Sequence, residues 1–181
     1  MALAVSIVGS FLAGWVAWTL AEYLLHRFDM HGRRGRGAMS REHLDHHAGR
    51  PMVPVRSRHG WAGAVLIAVA VGWWAVPAAG AGWLVGYAFY DRQHWSIHAR
   101  PPRSRYQRWL RRNHLHHHFA CPAANYGVTL PLWDMVFRTY VRPQTPIPLP
   151  RSLATGWLLD STGDVRAELA DEYVVVAPAT D

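Results

Sequence analysis

Residues 60–98 read GWAGAVLIAVAVGWWAVPAAGAGWLVGYAFYDRQHWSIH. From Gly60 to Tyr90 the stretch holds no charged residue. It is too long for one straight membrane span of about 20 residues and short for two full ones. Pro77, Gly80 and Gly82 mark a turn near its middle. The stretch therefore predicts a helical hairpin, with limbs from Trp61 to Val76 and from Ala81 to His98. The second limb ends in His94 and His98, four residues apart and so on one helix face. Apolar helices with imidazoles at one end imply an all-α membrane protein whose polar end binds metal.

Upstream, Ala2 to Leu25 carries one charge, Glu22. A removable leader would begin with a basic stretch, which is lacking here, and His26 follows at once, so a permanent helix is expected. With the hairpin this makes about three transmembrane helices. All 19 basic residues are arginine, and the net charge is +7. Most of the arginines flank the apolar segments between Arg27 and Arg142, and the hairpin tip has none. The positive-inside rule then puts the histidine-bearing ends on the cytoplasmic side of a multi-pass protein, as a helical cap. Basic charge of this kind fits anionic headgroups better than nucleic acid, for which no separate basic helix or aromatic-interleaved patch exists. The lone Cys121 excludes an intrachain disulfide and a CxxC metal or redox motif.

Ten of the 12 histidines fall into four clusters: His26 and His31; His43, His46 and His47; His94 and His98; His114, His117 and His118. The two triplets have i, i+3, i+4 spacing, which projects them from one helix face. His26 and His31, five apart, cannot share a face of an α-helix. The helix is expected to end near Met30, with Gly32 turning the chain back. Imidazole suits iron, zinc, copper or nickel. A structural zinc site takes four ligands and closes, so ten point to two metal ions with about five ligands each and room for oxygen or water. His59 and His116 fall outside the pattern. Asp29, Glu42, Asp45 and Asp91 lie in or beside the clusters and are candidates to orient the rings. Trp95, Phe119, Tyr126, Leu132 and Trp133 are candidate substrate contacts, whereas Gly127 and Asp134 read as structural. Arg100 to Asn113 reads as the start of an interfacial helix anchored by Tyr106, Trp109 and Leu110. Pro143 to Pro150 end a first unit, residues 1–142, and leave a Pro-rich segment and acidic tail, 143–181, expected to pack loosely.

HRFDMH at 26–31, HLDHH at 43–47, YDRQHWSIH at 90–98, HLHHH at 114–118 and NYGVTLPLWDMVFRTY at 125–140 resemble the motifs of the fatty acid hydroxylase and sterol desaturase superfamily of membrane di-iron oxygenases. The pattern is closest to the fatty acid 2-hydroxylases, whose ten ligands can be laid on the ten clustered histidines without a gap. The resemblance implies two iron ions (zinc can take their place in a purified protein), molecular oxygen as co-substrate, a lipid chain as substrate and hydroxylation of an unactivated carbon. Many relatives carry a fused haem domain of the cytochrome b5 type. This chain has no room for one, which implies a separate electron donor of ferredoxin or cytochrome b5 type. It also shows three spans where those relatives have four. Carotenoid ring hydroxylation and lipid or sterol desaturation stay open within the superfamily. Outside it, a metal transport or storage protein would place ligands near the bilayer midplane, and a zinc hydrolase would need a general base and an open zinc site.

Overall fold

The structure is a computed structural model and describes residues 2–48, 58–74, 77–151, 154 and 156–176. Helix α1 (Ala2–Leu24) runs directly into a π-helical segment, Leu25–His31. Then follow α2 (Ala38–His47), α3 (Arg58–Trp74), α4 (Pro77–Ala99), α5 (Arg105–Phe119) and the short α6 (Leu132–Val136). Strands β1 (Ile147–Pro150) and β2 (Tyr173–Val176) form a parallel pair, with Ile147 opposite Tyr173.

Helices α3 and α4 form the expected hairpin, since Gly80 lies against Ala68 and Trp61 packs edge-on to Tyr87. The three residues expected at the turn lie in α4. Pro77 opens α4, where its missing N–H costs nothing. Gly80 and Gly82 lie inside the helix and serve packing instead. A methyl at Gly82 would fall on the Phe11 carbonyl, and one at Gly14 on that of Ala79. Only glycine lets α1 and α4 approach this closely, the small-residue contact common between apolar helices. The two run in the same direction, with Phe11 beside Gly82 and Trp18 beside Gly86 and Tyr87. Their histidine-bearing ends therefore meet.

The other face of α1 presents Leu3, Val5, Val8, Leu12 and Val16 to the outside, and α3 presents Leu66 and Val69. Among the described residues one helix, Leu3–His31, is long and apolar enough to cross a membrane, and Gly60–Gly72 is a shorter apolar helix.

Pro101 and Pro102 separate α4 from α5, and the Ser104 hydroxyl caps α5 by accepting from the Gln107 amide at 3.1 Å. Leu110 is not a membrane anchor. It is 1% exposed and packs with Ile97 and Val128, because it lies on the face of α5 turned toward α4. Trp109 is partly buried against the same cluster, and Tyr106 is exposed. Nor does the C-terminal segment pack loosely. Ile147, Leu149, Leu158, Leu169 and Tyr173 close a core around Leu115 of α5. The alternation in IPLP buries Ile147 and Leu149 while the prolines lie between them.

Candidate metal centre

All four histidine clusters converge at one end of the helices, in two groups of five. His26, His31, His43, His47 and His117 form the first group, and His46, His94, His98, His114 and His118 the second. Within each group one ring nitrogen per residue lies within 4.8 Å of all the others.

The π-helical segment explains how His26 and His31 meet. Its i→i+5 hydrogen bonding, continued by the Gly32 amide on the Arg27 carbonyl at 3.1 Å, stacks residues five apart one turn above another. The helix widens over its last turn and then ends at His31, next to Met30 as expected, with a turn starting at Gly32, which itself keeps a right-handed helical conformation. The two triplets do not each serve one centre. On an α-helix the i and i+4 residues diverge by about 40°, and the i+3 residue turns about 60° the other way. Accordingly His43 and His47 join the first group while His46 crosses to the second, and His114 and His118 join the second while His117 crosses to the first. The His47 and His118 rings stack at 3.9 Å where the groups adjoin.

The nitrogen geometry fits cations. In the first group Nε2 of His43 lies 3.1 Å from that of His26 and 2.9 Å from that of His31, which lies 3.0 Å from His117. In the second, Nε2 of His46 lies 3.1 Å from both His94 and His98, His98 lies 2.9 Å from His114, and His114 lies 3.0 Å from His118. An imidazole nitrogen has a single in-plane position, holding a proton or a lone pair. It cannot hydrogen-bond two such neighbours at once, whereas a cation at the common focus satisfies all five. At a metal–nitrogen length of about 2.1 Å, neighbouring ligands lie about 3.0 Å apart when 90° apart, and about 3.4 Å in a tetrahedron. The observed spacing is that of the wider coordination shell.

Charge agrees. Burial is the main cause that pushes His46 down to about 4 and His47 to about 2, with neighbouring imidazoles adding to the shift for His47. Burial likewise holds His43, His114, His117 and His118 well below the usual histidine range. All are neutral near pH 7, the form that binds metal.

The first group is tied to the loop after α5. Nδ1–H of His26 donates to the Tyr126 carbonyl at 2.5 Å, and that of His117 to the Ala124 carbonyl at 2.7 Å. Two buried carboxylates hold the loop. Asp134, 0% exposed, accepts from the Tyr126 and Gly127 amides at 2.9 and 2.7 Å and from the Thr139 hydroxyl at 2.8 Å. Glu22 accepts from the Val128 and Thr129 amides at 2.7 and 3.0 Å and from the Thr129 hydroxyl at 2.6 Å. In the second group, Nδ1 of His98, His114 and His118 is buried without a partner among the described residues.

The carboxylates expected to orient the rings, Asp29, Glu42, Asp45 and Asp91, take different positions. Asp29 pairs with Arg33 at 2.5 Å, and Asp45 is exposed. Glu42 and Asp91 line a cavity of about 230 Å³ between α1, α3 and α4. Its other walls are mostly apolar, including Trp18, Leu25, Met39, Ala64, Ile67 and Tyr87, and His43, His46 and His94 face into it. None of the five expected substrate contacts lines it. Trp95 lies under the Arg100 guanidinium at 4.1 Å, and Phe119 packs on the C-terminal core. The Tyr126 ring sits against His26, His31 and His117, Leu132 is exposed, and the Trp133 indole donates to the Thr19 hydroxyl at 3.0 Å. His116 belongs to neither group and faces the Asn125 amide at 3.3 Å, while the side chain of His59 lies outside the described residues. Glu22 had one sequence signal, a lone charge in an apolar stretch. The carbonyls of Ala124 and Tyr126 had none, because every residue carries one.

A family model described as fatty acid hydroxylase matches residues 11–139. A dihydroceramide fatty acyl 2-hydroxylase of Arabidopsis thaliana is 34% identical over 152 residues, covering 77% of this chain and 64% of the relative. A fatty acid 2-hydroxylase of Rattus norvegicus is 29% identical, covering 74% of this chain and 40% of the relative. A solved structure of full-length Scs7p, in which only the hydroxylase domain is visible, superposes with a TM-score of 0.63 at 27% identity, covering 79% of this chain and 59% of the other. The chain therefore spans less than two thirds of the length of these relatives. With its histidine clusters inside a match that runs over most of its length, the chain belongs to the fatty acid hydroxylase family.

Proposed function

We propose that the protein is a membrane-bound di-metal oxygenase that hydroxylates a fatty acyl chain of a lipid, using molecular oxygen and a separate electron donor. The observation that carries this reading is the cavity. It is apolar along most of its wall and ends on histidines of both groups, His43 of the first and His46 and His94 of the second. A hydrocarbon chain entering it brings a carbon to where the two centres adjoin. At about 230 Å³ the cavity is smaller than the roughly 300–1,000 Å³ of sites that enclose a drug-sized ligand. It takes only part of a long acyl chain, and the remainder lies along the helices toward lipid.

Helices α1, α3 and α4 are read as the membrane spans. The outward Leu3, Val5, Val8, Leu12, Leu66 and Val69 support this, and the arginine distribution favours a cytoplasmic metal centre. Two iron ions suit the two groups. The five imidazoles of each group exceed the four ligands of a closed tetrahedral zinc site and would hold an iron ion. The chemistry such ions supply is oxygen activation, in which R–H, O2, two electrons and two protons give R–OH and water. The chain's own residues hold that chemistry in place. The loop carbonyls of Tyr126 and Ala124 fix two rings of the first group, and the aromatic wall of Trp18, Trp83 and Tyr87 excludes water and aligns the acyl chain. Glu22 lies at the junction, lining the cavity while holding the loop.

The test is mass spectrometry of lipids from cells that express the chain with a ferredoxin or cytochrome b5 donor. An acyl lipid gaining one oxygen is expected. An acyl lipid losing two hydrogens instead would make the protein a desaturase.

A further inference from the structure

The two histidine groups are supported differently, and the C-terminal segment lies on the side of the second. We propose that Trp157 and Arg111 are positioning residues for the second group, and that the segment from β1 to β2 is the element that seats them. The inference rests on the two-centre reading above.

Helix α4 ends at Ala99, one residue after His98; the Ser96 carbonyl accepts from the Arg100 amide at 3.2 Å, and the carbonyls that follow need donors from elsewhere. Arg111 of α5 supplies them. Its side chain is 2% exposed, and it donates from Nε to the Ile97 carbonyl at 2.9 Å and from Nη2 to the Ser96 carbonyl at 2.9 Å and to that of Arg100. The planar guanidinium is suited to fan across several carbonyls where an ammonium is not. Trp157 then closes the arrangement from the C-terminal segment. Its ring covers the Arg111 guanidinium at 4.3 Å, and its Nε1–H donates to the carbonyl of His98 itself at 3.1 Å. Leu158, the next residue, anchors this contact in the core around Leu115, which lies beside His114 on α5.

The asymmetry gives these contacts their meaning. His26 and His117 of the first group are oriented through Nδ1 by loop carbonyls. His98, His114 and His118 of the second have no such tether among the described residues. Their aim depends on the backbones that carry them, and the end of α4 is held by Arg111 and Trp157. Outer-layer partners of metal-binding histidines act by fixing ring direction. Here the fixing is applied one step back, at the carbonyl of the ligand residue and the end of its helix.

The decisive variant is Trp157→Phe, which keeps an aromatic ring over Arg111 and removes the N–H to His98. Arg111→Lys, which keeps the charge and loses the fan, is the second. The full chain is purified with its metals, and metal release to a chelator is followed in time. Wild type is expected to hold two metals per chain. In Trp157→Phe one of the two is expected to leave about tenfold faster while the other is unchanged, in line with losing an outer-layer partner. In a His26→Ala/His31→Ala background, where the second group alone remains intact, the whole signal is expected to accelerate. Unchanged release in that background overturns the proposal, as does equal acceleration of both metals, which is the mark of a merely structural role. Fewer than two metals in wild type overturns the two-centre reading first, and the proposal with it.

Discussion

The two histidine groups use the same ligand and nearly the same nitrogen spacing, yet the fold builds them by different means. The first takes His26 and His31 from the widened end of α1 and ties His26 and His117 through Nδ1 to loop carbonyls. The second takes His94 and His98 from the end of α4 and leaves the Nδ1 atoms of His98, His114 and His118 buried and without a partner among the described residues. Two rings of the first group are aimed by hydrogen bonds to loop carbonyls, whereas three of the second depend on the helices that carry them. Similar coordination shells can therefore depend on unrelated parts of the chain.

Five substitutions bear on that contrast. The largest effect is expected from removing one ligand of either group. His117→Ala and His114→Ala should each reduce lipid hydroxylation to background, because the proposed reaction needs both centres. Each should leave the other group's metal in place, as counted by elemental mass spectrometry. If one of the two variants turned over normally, the pair would reduce to a single working centre.

Next is Asp134→Asn. The carboxylate accepts three hydrogen bonds in full burial, and an amide cannot reproduce them. A loss of about 3 kcal/mol in stability is expected, since hydrogen bonds to buried charged groups are worth roughly 1.5–3 kcal/mol each. First-group metal should bind about 10–100-fold more weakly, with the second group unaffected. Equal weakening of both groups would erase the distinction drawn here.

A smaller effect, common to both centres, is expected at the cavity. A side chain at Gly63 meets open space at its Cβ and lies on the cavity wall. Gly63→Leu should lower acyl turnover about tenfold by filling that space, yet raise helix stability by roughly 0.5–1 kcal/mol and leave both metals bound. Unchanged turnover on a long-chain lipid would place the substrate elsewhere. The smallest effect is expected from His116→Ala, since His116 belongs to neither group. Activity within about twofold of wild type and two retained metals are expected, and a lost metal would show that a ligand had been misassigned.

How much of this could be read in the sequence follows from what helical periodicity encodes. The uncharged run from Gly60 to Tyr90 gave the hairpin, and the ends of the apolar segments showed where the histidines would gather. Periodicity gives the face of a helix but not what stands opposite it. It could not show that His46 and His117 cross between centres, since this depends on how α2 and α5 lie relative to two foci. The π-helical turn was equally hidden, because assuming 3.6 residues per turn separates His26 from His31. Nearness in sequence also hides contacts made across the fold. The contacts that formed reach from α1 to residue 126 and from α4 to residue 157. The C-terminal segment looked loose because prolines and acidic residues are frequent in it, yet Ile147 and Leu149, alternating with prolines, seat β1 on α5.

The most direct measurement is lipid mass spectrometry on cells supplied with an electron donor, comparing wild type with His117→Ala and His114→Ala. The account predicts an acyl lipid carrying one added oxygen in wild type and in neither variant. The same oxygenated lipid in either variant would contradict a reaction that needs both histidine groups.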